Sequence, residues 1–121
     1  MRADELIQQY RSGAITAREF VESVWNIVVI QQGFPGRWEY VLSALYGQGI
    51  FCTESEAESA AVAFTLKRLE EIRQVKEEIE QLEMVWASYC QAARIVQNRI
   101  IAARQAALNE LSRGIKPEVL A

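Results

Sequence analysis

Between Gly49 and Gly114 the chain runs for sixty-four residues without a glycine or a proline. Through that run apolar residues recur in alternating steps of three and four: Ile72, Val75, Ile79, Leu82, Trp86, Tyr89, Ala93, Val96, Ile100, Ala103 and Ala107. Such a repeat keeps one seam on one side of a helix. The spacing predicts a single long helix over about 53–113, about 90 Å long at ~1.5 Å per residue. That exceeds the width of a globule of 121 residues. The seam therefore needs cover, from a second chain or from another segment of this one.

The ends of the run carry helix signals. Thr53-Glu54-Ser55-Glu56 reads as a capping box, and Gly114 followed by Pro117 reads as a stop. Upstream, Asp4 is expected to cap a first helix to Arg11, with Gly13 ending it. Thr16-Ala17-Arg18-Glu19 is a second capping box and opens a helix expected to reach Gln32. The β-branched stretch Ile27 to Ile30 also suits a strand, but no second strand-like segment stands out to pair with it. Gly33 to Gly36 reads as a turn. A third helix is expected from Arg37 to Tyr46, on Trp38, Val41, Leu42 and Leu45. The expected fold is all-α: one domain over 1–121, with three short helices (1–50) packed on the long one as a helical bundle.

Composition excludes much chemistry. The chain has no histidine, and Asp4 is its one aspartate. Catalytic triads, cysteine–histidine pairs and histidine-ligated zinc sites lack their parts. The expectation is a protein that is not an enzyme and takes no cofactor or metal. Glu77, Glu80 and Glu83 share a helix face at i,i+3 spacing, the pattern of acids that hold magnesium in helical phosphohydrolases. Such a site needs more acids from a facing helix, which the short helices do not supply. A dimeric magnesium phosphohydrolase is the remote alternative. Cys52 and Cys90 read as buried thiols of a reduced, cytoplasmic chain. No apolar stretch is long enough to span a membrane.

Charge divides the long run. Glu54 to Glu83 holds nine acids and four bases, whereas Met84 to Lys116 holds one acid and five bases. Arg94, Arg99, Arg104 and Arg113 make a nucleic-acid-binding regulator the second reading. Their spacing spreads them around the helix rather than along one phosphate-tracking face. Two antiparallel copies use the asymmetry better. With the seam centred near Tyr89, Glu78 of one copy faces Arg99 of the other. The expected function is a homo-oligomeric interaction module, an assembly or adaptor subunit. Its interface is Ile72, Val75, Ile79, Leu82, Trp86, Tyr89, Ala93, Val96 and Ile100, flanked by Glu78 and Arg99. Its partners are a second copy and a further, unidentified protein.

Overall fold

The computed structural model describes residues 1–86 and 90–121, Trp86 by its backbone alone. In chain order the elements are α1 (Ala3–Arg11), α2 (Ala17–Val24), β1 (Val28–Phe34), β2 (Arg37–Leu42), β3 (Tyr46–Phe51), α3 (Glu54–Trp86), α4 (Gln91–Leu111) and α5 (Pro117–Leu120). They form two compact units. One holds Met1–Lys67 with Gly114–Ala121, and the other holds Arg68–Arg113.

The fold is mixed α/β, which corrects the all-α, helical-bundle expectation. Residues 28–51 form a three-stranded antiparallel sheet in the order β1-β2-β3. The β-branched stretch is a strand after all, because its partner is Arg37–Leu42, the segment expected to be a helix. Val28 pairs with Leu42 and Ile30 with Tyr40. Paired residues share a sheet face, and Ile30, Tyr40 and Leu42 are buried. Pro35-Gly36 makes the tight connection between β1 and β2. Gly36 has φ +76°, as the third residue of a type II turn requires.

The capping box of α2 forms as read: the Glu19 amide donates to Thr16 Oγ1 at 3.1 Å and the Thr16 amide to Glu19 Oε1 at 3.1 Å. Asp4 does not cap α1. Its N-cap is Arg2, and Asp4 sits in the first turn, where its charge suits the helix end. At α3 the Glu56 amide donates to Thr53 Oγ1, but the Glu56 carboxylate accepts from the Cys52 amide. The box is therefore displaced by one residue.

The core of the first unit centres on Trp25, packed with Phe20, Val21, Val24 and Leu42 as the largest fully buried side chains. Trp25 meets Tyr46 edge-on at 5.6 Å and Phe64 at 6.1 Å between ring centroids. The C-terminal tail closes this core. Ile115 bridges Trp25 in antiparallel fashion. The Asn26 amide donates to the Gly114 carbonyl at 3.0 Å, and the Lys116 amide donates to the Val24 carbonyl at 2.9 Å. Ile115 and Val119 are buried.

The long helix is not continuous. α3 stops at Trp86 and α4 starts at Gln91, with Cys90 as its N-cap. This corrects the single helix over 53–113. No glycine or proline marks the break, so composition carried no signal of it.

Candidate interaction surface

Within the second unit, α3 from Arg68 onward and α4 lie antiparallel. The Arg68 guanidinium donates to the Leu111 carbonyl at 3.1 Å. Arg104 Nε stands 3.1 Å from Glu78 Oε2. The two charge halves thus pair inside one chain. Glu78 meets Arg104 here, whereas the sequence reading set it against Arg99 of a second copy. Arg99 is exposed.

The α3 half of the seam faces inward. Ile72 is 2 % exposed and Ile79 7 %, with Val75 and Leu82 half-buried. The α4 half does not. Val96 is 57 % exposed and Ile100 42 %, while Gln97 is buried at 7 %. Ala93 is half-buried and Ala103 exposed. Tyr89 lies outside the described residues, as does the Trp86 side chain.

The helix break between Trp86 and Gln91 interrupts the repeat, so the phase of the seam on α3 does not fix the face that α4 turns inward. On α4 the buried or half-buried positions include Ala93, Arg94, Gln97, Ile101, Ala107 and Leu108, and Arg104 reaches Glu78. Val96 and Ile100 are left on its flank. There, Leu82, Val85 and Ile100 line a shallow groove with Gln81, and the Glu78–Arg104 pair forms the rest of its wall.

This arrangement inverts ordinary amphipathicity. Gln97 Nε2 is buried and has no hydrogen-bond partner among the described residues. Val96 and Ile100, one step before it and three after, face outward. Burying an amide costs free energy that burying a valine would not. A local violation of this kind is expected where a second surface competes for the apolar side.

The remaining candidates are dispersed. Arg94 is half-buried, Arg104 is paired with Glu78, and Arg113 stands 3.0 Å from Glu110. Arg104 and Arg113 are thus held by carboxylates. Among the acids, Glu77 accepts from Arg73 at 2.6 Å. Glu70 also accepts from Arg73, and that hydrogen bond holds its carboxyl below the usual range. Among the described residues no group of three or more Cys, Asp or Glu is placed to hold a metal ion. Both cysteines are exposed, which corrects the expectation of buried thiols. Each stands at the start of a helix rather than on an inward face. No helix among the described residues is long and apolar enough to cross a membrane. No family model, curated protein or solved structure matches this chain.

Proposed function

We propose that the chain is a non-enzymatic, homo-oligomeric interaction module that recognises a second copy of itself through the α3–α4 hairpin. One observation carries this reading: α4 buries Gln97 and exposes Val96 and Ile100. The strip of exposed Val96, Ile100 and Ala103 keeps 3-4 spacing with the half-buried Ala93 and Ala107 at its ends. Such a strip is self-complementary when two copies run antiparallel, as a two-fold interface demands. Its alanines permit close approach of helix axes. Charge favours the same partner. Arg99 stands beside the strip on a helix short of acids, and α3 of a second copy supplies them. Exposed pairs contribute only about 0–1 kcal/mol each, so they orient the contact while the apolar strip supplies affinity.

Sedimentation of the wild-type chain and of Val96→Glu/Ile100→Glu tests the proposal. The wild type is expected to associate, and the double variant to sediment as a smaller species with unchanged helical circular dichroism. A wild type that stays monomeric, or a double variant with the wild-type size, would falsify it.

A further inference from the structure

We infer that the outer face of the β1-β2-β3 sheet is a further self-recognition surface, on which two copies pair with Arg37 of each against Glu39 of the other. This contact lies within the first unit and does not rest on the strip of α4.

Alternation along β2 assigns the two sheet faces. Tyr40 and Leu42 are buried, so Arg37, Glu39 and Val41 stand on the opposite face. Their partners on β1 are Phe34, Gln31 and Val29, and paired residues share a face. On β3, Gly47 pairs with Val41, while Gly49 and Ile50 together oppose Glu39 across a bulge. This outer face is open. Phe34 is 74 % exposed and Ile50 69 %, and Gln31, Arg37, Gly47 and Gly49 are exposed as well. The solvated side of an antiparallel sheet ordinarily carries polar residues. Here it carries Val29, Val41, Phe34 and Ile50, the composition of a face that something covers.

Charge names the occupant. The face holds one base and one acid, two residues apart on the central strand. Among the described residues neither Arg37 nor Glu39 has an ion-pair partner. Gln31 Nε2 donates to Glu39 Oε1 at 2.7 Å and holds the carboxylate on the face. A Cβ on Gly33 would fall 3.1 Å from Glu39 Oε2, and one on Gly49 3.3 Å from Glu39 Cβ. Glycine on both sides thus keeps other side chains off the carboxylate and leaves it open to a guanidinium from outside. A two-fold axis lying across the strands beside Trp38 sets each Arg37 against Glu39 of the other copy, reciprocally, with no like charges opposed. An anionic lipid surface would meet the Glu39 carboxylate as a repulsion. A partner of one charge sign would satisfy only one of the two groups.

The face spans about 20 Å by about 14 Å, from strand rise and spacing. That is small for a permanent interface. The contact is therefore weak, and its charges set orientation more than affinity. Where the α4 strip also pairs, each copy has two separate self-contacts, and assembly continues past two copies.

The test is sedimentation in the Val96→Glu/Ile100→Glu background, which removes the strip. That protein should still associate at concentrations up to about 1 mM. Arg37→Glu gives a face with two acids, and Glu39→Lys gives one with two bases. Each alone should weaken association at least about tenfold, whereas an equal mixture of the two should pair as heterodimers. Arg37→Glu/Glu39→Lys in one chain restores both signs and should self-associate again. Phe34→Ala/Ile50→Ala leaves the charges in place and should also weaken pairing by about tenfold. A background protein that stays monomeric, or a mixture no more associated than its two components, would overturn the sheet contact and leave the strip reading intact. If Val96→Glu/Ile100→Glu leaves the wild-type size unchanged while the charge reversals alter it, the strip reading fails and the sheet contact stands.

Discussion

The indole Nε1 of Trp25 donates to Thr65 Oγ1 at 2.8 Å, and the same hydroxyl donates to the Ala61 carbonyl at 2.7 Å. Both residues are buried. The threonine thus joins the end of α2 to α3 through the centre of the first unit. Thr65→Val keeps the volume and removes the acceptor, leaving a buried indole N–H unsatisfied. The expected cost is about 1–3 kcal/mol. Urea unfolding should show a lower midpoint with an unchanged slope. A midpoint equal to wild type would show that the bond contributes nothing.

Two glycines separate backbone strain from steric conflict. Gly13 and Gly114 both have φ +81°, but a Cβ on Gly13 meets nothing within 4 Å, whereas one on Gly114 falls 2.6 Å from Ser43 Cβ. The Gly114 carbonyl also accepts from Ser43 Oγ at 2.6 Å. Gly13→Ala should cost about 1 kcal/mol from the left-handed conformation alone. Gly114→Ala adds the clash and disturbs the tail, so its loss should be clearly larger. Equal melting temperatures for the two variants would contradict this.

Much of the local chemistry was legible in the sequence, and little of the pairing. The α2 capping box was readable because Thr16 and Glu19 are neighbours and satisfy each other. The sheet was not, because Arg37–Leu42 fits both periods. Trp38, Tyr40 and Leu42 alternate as a strand, while Trp38, Val41, Leu42 and Leu45 recur as a helix. Only pairing with Val28–Ile30 decides between them, and pairing is non-local. Two glycines in β3 disguised the third strand. The apolar repeat marks the face of α3 that is buried at Ile72 and Ile79, but beyond the helix break the buried residue of α4 is Gln97, while Val96 and Ile100 of the repeat are exposed.

Burial gives the protein an alkaline limit. Desolvation pushes the Tyr40 hydroxyl above its ordinary value of 10.0. Its folded pKa is therefore the higher one, and the neutral form is favoured in the native state. That contribution is fully present below about pH 10 and is lost as pH rises through the folded pKa. Tyr40→Phe cannot ionise. Its stability should fall less steeply than wild type above about pH 10 in chemical unfolding at stepped pH. Parallel curves would show that Tyr40 is not responsible.

Ile79→Asp tests whether the two units hold their structure separately. Ile79 is 7 % exposed on the inner face of α3, so an aspartate there replaces a buried isoleucine by a carboxylate. The lost apolar packing together with the carboxylate's desolvation should cost about 3–5 kcal/mol. The loss falls on the hairpin, whose interior already contains Gln97 and half-buried Arg94. Limited trypsin digestion reads the outcome directly. Cleavage at Arg73, Lys76, Arg94 and Arg99 should accelerate, while Arg11 and Arg18 in the first unit keep their wild-type rates. Uniform acceleration at all these sites would mean that the two units unfold together. Unchanged cleavage at every site would mean that Ile79 does not hold the hairpin closed.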